Sequence, residues 1–177
     1  MSNVKTNSIL IQAETLARGA DSTFNSPSRG SMTLREVIDD IVSFTNKDLK
    51  DEYKIVIGTD SQENHNGVNF VSAVVVHRVG RGGRYFWRRL YKSSIKNLRL
   101  RIYEEANLSR ALAEEVIELL AKSGGLPCSL EIHIDVGMNG PTKAMINEVV
   151  GMVRGSGFEV KTKPDAYGAS NVADKYT

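Results

Sequence analysis

Three consecutive β-rich runs joined by turn residues, followed by helix, strand, helix, strand and a last helix, leave this chain few ways to fold. Tyr53 to Thr59 is β-branched and bounded by polar residues, which predicts a strand buried on both faces. An Asn66-Gly67 turn signal separates it from Val68 to Val79, its hairpin partner. Gly80-Arg81-Gly82-Gly83 leads into Arg84 to Lys92, where Tyr85, Trp87, Arg89 and Tyr91 alternate against Phe86, Arg88, Leu90 and Lys92. A long helical pattern follows from Leu98 to Lys122, with Leu108, Leu112, Val116 and Leu119 on one face and Gly124-Gly125 as the stop. Leu130 to Val136 is the fourth strand. Pro141 opens a helix whose buried side is Met145, Ile146, Val149, Val150 and Val153, and Gly157 ends it. Phe158 to Lys163 is the fifth strand, with a short helix over Ala169 to Tyr176 after Pro164. Hairpins pair antiparallel, whereas helical crossovers bring strands back parallel. The expected fold is therefore α/β, a mixed five-stranded sheet in βββ-α-β-α-β-α order with flanking helices.

Ahead of the sheet, Thr33 and Glu36 have capping-box spacing, and Leu34, Val37, Ile38, Ile41 and Phe44 predict a helix over 34–47. Residues 1–31, rich in Ser, Asn and Gly, read as an N-terminal arm, so that 32–177 form a single domain. With 177 residues of which 41% are hydrophobic, one well-buried domain is the expectation. The lone Cys128 excludes an intrachain disulfide framework and a multi-Cys zinc site. No run of residues has the length and apolarity of a membrane span, and the first residues lack a secretory layout, so a cytoplasmic protein with no membrane partner is expected.

Within this order, Asp60 and Asp135 each stand where an apolar run gives way to small and turn-forming residues. If both runs belong to one sheet, the carboxylates meet at its carboxyl edge, where ligands of α/β sheets gather. An ionised carboxylate beside apolar neighbours needs a pair, hydrogen bonds or a metal; the plainer role of either Asp is to cap the next turn. At about 100° per residue, Glu105 falls on the apolar face of the long helix, with Glu104 as the alternate should the phase differ. The last segment adds Asp165 and Asp174, of which Asp174, within the final helix, is preferred. Carboxylates with neither a Cys partner nor a His cluster favour Mg²⁺ or Mn²⁺ over zinc. Such ions activate water and stabilise the leaving oxygen of a phosphodiester.

From Arg78 to Tyr103 the chain carries nine cations (Arg78, Arg81, Arg84, Arg88, Arg89, Lys92, Lys96, Arg99, Arg101) and no acid, although its formal net charge is only +2. Interleaved with Tyr85, Phe86, Trp87 and Tyr91, they have the make-up of a nucleic-acid surface, and equally that of a solvated edge strand. Ser61, Arg88, Lys92 and Lys163 are the candidate substrate contacts. His133 shares strand parity with Asp135 but has the setting of a packed core residue, His77 and His65 carry less, and Asn139-Gly140 could offer N–H groups to an anion.

In this order, Ile57-Gly58-Thr59-Asp60-Ser61-Gln62, Ile134-Asp135-Val136-Gly137 with Asn139-Gly140, and Lys163-Pro164-Asp165-Ala166-Tyr167 with Ala173-Asp174 resemble a bacterial family of uncharacterised, YkuK-like proteins of the ribonuclease H-like superfamily. The resemblance spans roughly residues 24–177. It implies a divalent-metal-dependent nuclease that cleaves RNA, RNA/DNA hybrid or structured DNA by a two-metal mechanism. Asp60 would bridge the Mg²⁺ or Mn²⁺ ions and Glu105, Asp135 and Asp174 would complete their shells. The sequence departs from the superfamily in its short last helix and in lacking an assured equivalent of the histidine that aids product release. A non-catalytic nucleic-acid-binding or scaffold module of the same fold is the alternative.

Overall fold

The computed structural model describes residues 23–93, 95, 97–125, 128–137 and 143–177. The sheet is built from β1 (Phe24–Ser26), β2 (Gly30–Met32), β3 (Tyr53–Asn64), β4 (Gly67–Arg78), β5 (Gly83–Lys92), β6 (Cys128–Ile134) and β7 (Glu159–Thr162). The helices are α1 (Leu34–Thr45), α2 (Leu98–Lys122) and α3 (Ile146–Gly155), the last preceded by a 3-10 turn, Lys143–Met145. A π-helical turn, Ala169–Ala173, and a 3-10 turn, Asp174–Tyr176, close the chain and are called the terminal segment below.

The strands lie in the order β2-β1-β5-β4-β3-β6-β7. The β3-β4-β5 meander is antiparallel, and β6 and β7 join it in parallel, as crossover connections require. The sheet thus has seven strands where five were expected. The additional pair, β1 and β2, comes from residues assigned to the arm: Phe24 pairs with Met32 and Ser26 with Gly30, and Asn25 of β1 meets Trp87 of β5. Three-residue strands are too short to show an alternating pattern, so nothing in the sequence announced them.

The capping box forms as expected. The Thr33 side chain accepts from the Glu36 N–H, and the Glu36 carboxylate takes the Thr33 N–H at 2.7 Å. Helix α2 has the predicted bounds, with Gly124 and Gly125 both at positive φ just past its end. Its buried face is turned slightly from the expected one: Ile102, Glu105, Ala106, Ser109, Leu112, Ala113, Val116 and Leu120 face the sheet, and Leu108 and Leu119 sit at the margin.

The two faces of the sheet are covered unequally. Beneath α1, α2 and α3 lies one large core, to which Ile55, Ile57, Val74, Val76, Phe86, Ile132, Leu112 and Val149 contribute. On the opposite face Val71 and Ala73 pack with Ala173 of the terminal segment, flanked by Trp87, Val172 and Tyr176.

Candidate metal and nucleic-acid site

Strand β3 does not stop at Thr59; it runs to Asn64 because β4 pairs with it residue for residue. What stops is its pairing with β6, whose last partnered row is Gly58 with His133. Asp60 and Asp135 each stand two residues beyond that row, at the fork where the two strands part. Burial raises the Asp60 carboxyl above its ordinary range, opposed by the Ser61 N–H and by Arg101 and reinforced by the charges of Asp135 and Asp174.

Glu105 enters from α2. Its side chain is buried, and the Ser61 hydroxyl donates to Oε1 at 2.5 Å. Burial pushes its pKa up to about 8; the Ser61 bond and Arg101 oppose the shift, while Asp60 and Asp135 add to it. One turn further on, the Ser109 hydroxyl sits 3.0 Å from Thr59 Oγ1, which is 2.8 Å from Ser72 Oγ. This ladder of small hydroxyls ties α2 to β3 and β4 just beneath the carboxylates.

Asp174, on the exposed side of the terminal segment, acts electrostatically on both Asp60 and Lys163. Its segment is held by His133. The Gly168 N–H donates to His133 Nδ1 at 3.0 Å, which leaves the ring proton on Nε2, 3.2 Å from Glu131 Oε2. The Tyr167 ring stands edge-on to the imidazole, at 5.0 Å between centroids. A Cβ on Gly168 would lie 2.3 Å from Val56 Cγ1, so only glycine lets the backbone come this close. His133 is thus a buried anchor rather than a ligand, and burial holds its pKa below the ordinary imidazole range.

Asp135 Oδ1, shielded from water, meets Lys163 Nζ at 2.6 Å in a charge contact outside hydrogen-bond geometry. Of the alternate ligands, Glu104 pairs with Lys92, and Asp165 lies exposed in the turn after β7, where its charge acts on Lys161. Ser61 faces Glu105 and serves as its donor. Arg88 is two strands away from Thr59, in the row Thr59–Ser72–Arg88, with its guanidinium over the Phe24 ring and 3.9 Å from Glu115. The structure therefore brings Asp60, Glu105, Asp135, Asp174 and Lys163 together and leaves Arg88 outside that group.

Arg101, which no motif singled out, is one turn before Glu105 on α2, acts on both Asp60 and Glu105, and lies 3.7 Å from Glu63. As one cation in a run of nine it carried no distinguishing sequence signal. Asn139-Gly140 and Lys96 fall outside the described residues.

The basic stretch is not an open phosphate-binding face. Seven of its cations are in ion pairs: Arg78 with Asp48 and Asp51, Arg81 with Asp51, Arg84 with Asp40, Arg88 with Glu115, Lys92 with Glu104, Arg99 with Glu148 and Arg101 with Glu63. Trp87 is stacked under Tyr176 at 4.2 Å, Tyr85 shares a hydroxyl contact with the same ring, and Phe86 is in the main core.

Among the described residues no three acidic, histidine or cysteine side chains close into a ready metal cage. The donor set nonetheless suits a hard divalent cation. It is all oxygen, and Asp60 and Glu105, raised by burial and by neighbouring carboxylates, are groups from which a cation would displace a proton.

A sequence family described as ribonuclease H-like matches residues 36–177. The chain belongs to the ribonuclease H-like family. Its relatives include the uncharacterized protein YkuK of Bacillus subtilis (strain 168), 33% identical over 168 residues that span 87% of this chain and 96% of the relative, which places it among the YkuK-like members. Two solved structures are more distantly similar. RNase H1 from Halobacterium salinarum NRC-1 is 15% identical, with a TM-score of 0.36 over 69% of this chain and 96% of that one. The N-terminal RNase H domain of rv2228c from Mycobacterium tuberculosis is 12% identical, with a TM-score of 0.34 over 70% and 93%. Likenesses this distant say nothing of the site. Among the described residues no helix is long and apolar enough to cross a membrane.

Proposed function

We propose that this YkuK-like protein is a divalent-metal-dependent nuclease acting on phosphodiester bonds of RNA, RNA/DNA hybrid or structured DNA. The observation that supports the reading is a convergence of charge from β3, α2, the end of β6 and the terminal segment: Asp135 and Asp174 add to the raised carboxyl of Asp60, and Asp60 and Asp135 to that of Glu105. Asp60, Glu105, Asp135 and Asp174 would hold Mg²⁺ or Mn²⁺, which when bound lowers the pKa of water and stabilises the leaving oxygen.

The protein's own groups do the rest. Ser61 fixes the rotamer of Glu105, and the Ser109–Thr59–Ser72 ladder keeps α2 in register with the strands. Because Glu105 holds its proton up to about pH 8, it becomes a ligand only when a cation replaces that proton. Arg101 and Lys92, both part-exposed at the rim, are placed to meet substrate phosphates once these displace Glu63 and Glu104 from them. The test is incubation with labelled RNA, hybrid and branched DNA in Mg²⁺ or Mn²⁺. Cleavage that Asp60→Asn abolishes supports the reading, and absence of cleavage on all three substrates overturns it.

One observation favours a second reading, a binding module without turnover: the cation on Asp135 is the chain's own Lys163. That reading predicts nucleic-acid binding unaffected by Asp60→Asn, together with no thermal stabilisation by Mg²⁺.

A further inference from the structure

The carboxylate group contains a cation of its own. Lys163 is carried by the turn that follows β7, and its backbone N–H donates to the Val136 carbonyl at 3.0 Å, tying that turn to the loop that carries Asp135. The lysine stem runs past Gly137, where a Cβ would touch it at 3.5 and 3.7 Å. The ammonium reaches Asp135 Oδ1 at 2.6 Å, and its charge is felt together with those of Asp60 and Asp174. It therefore contacts Asp135 and lies within charge range of Asp60 and Asp174, on a stem tethered through its own backbone.

A surface lysine that pairs with one acid by chance has neither this backbone tether nor this company.

We propose that the Lys163 ammonium takes the place of a second metal ion, so that this site works with one divalent cation and one built-in monovalent one. The proposal rests on the nuclease reading above and replaces its two-ion form. In hydrolysis the fixed ammonium would face the phosphate oxygens as a hydrogen-bond donor and leave water activation to the single metal-bound position.

Counting bound Mn²⁺ on the full chain by isothermal titration and by loss of the free-ion electron paramagnetic resonance signal tests this directly. One ion per chain is expected for the native sequence and two for Lys163→Met, which keeps the stem and removes the charge. Because the side chain is 55% exposed, neither Lys163→Met nor Lys163→Gln is expected to impair folding. In parallel, the slope of cleavage rate against Mn²⁺ concentration should rise from first toward second order in both variants. Two ions on the native chain would overturn the inference while leaving the nuclease reading in place. One ion on both native and variant chains would also overturn it, since the lysine then displaces nothing. No binding by either would sink the nuclease reading together with it.

Discussion

At the scale of single residues, the site is governed by how burial and neighbouring charge act on Glu105. Its folded pKa of about 8 lies above the ordinary 4.5, so between these values the folded chain holds a proton that the unfolded chain has released. Metal-free stability should therefore be greatest at low pH from this group, fall as pH rises from 4.5 to about 8, and level off beyond. Thermal unfolding in chelator across that range is the measurement, and Glu105→Gln should flatten the decline by up to a few kcal/mol. The same variant should lose most of the stabilisation that Mn²⁺ gives the native chain at pH 8. Ser61→Ala removes the hydroxyl that fixes Glu105 and should lower cleavage about tenfold or more with little change in unfolding temperature. The inward face of Glu105 was legible because helix phase is periodic, and the positions of Asp60 and Asp135 were legible as the places where apolar runs give way, although β3 itself continues past Asp60 to Asn64. Arg101 was not, because nothing in a run of cations marks the one that turns toward carboxylates, and Ser61 looked like a substrate contact until its partner on α2 was known.

At the scale of elements, the contrast is between α2 and the terminal segment. The extent of α2 was readable because its apolar spacing is regular and two glycines close its end; the structure adds the cap at its start, where the Asn97 side chain accepts from Leu100 N–H at 2.8 Å. The terminal segment winds as a π turn and then a 3-10 turn, held by the Gly168–His133 bond and the Tyr176–Trp87 stack, contacts between residues far apart in sequence that no local pattern reveals. Two glycine substitutions separate a regular helix, here α3, from the terminal segment. Gly151→Ala lies on α3 with open space around its Cβ and should stabilise the protein by about 0.5–1 kcal/mol. Gly168→Ala drives a methyl group into Val56 and should cost about 1–3 kcal/mol. It should also lower Mn²⁺ affinity, because the displaced segment carries Asp174. Denaturant titration and metal binding on the two variants check both signs.

At the scale of the whole molecule, the fold spreads its charge so that acids from distant parts of the chain neutralise the basic stretch. Asp40 shows the pattern: buried on α1, it takes Arg29 from the β1–β2 hairpin at 2.9 Å and Arg84 from β5 at 2.6 Å, locking the added strands onto the sheet. Asp40→Asn should destabilise by roughly 2 kcal/mol, less than a fully buried pair because both arginines reach solvent, and should leave the Mn²⁺ count unchanged. Internal pairing also limits phosphate contacts. A plot of log affinity for duplex substrate against log salt should therefore have a slope of about −2 to −3, where an unpaired run of nine cations would give a far steeper one. The βββ-α-β-α-β-α order survived into the structure because it depends on strand and helix periodicity, whereas the partners of those cations depend on the finished fold. The stack of Trp87 on Tyr176 has one last consequence. Trp87 is the chain's single tryptophan, and its ring lies against the segment that bears Asp174. Its emission is a native optical gauge of whether that end of the chain is seated, so assembly of the carboxylate group can be followed in solution without a label.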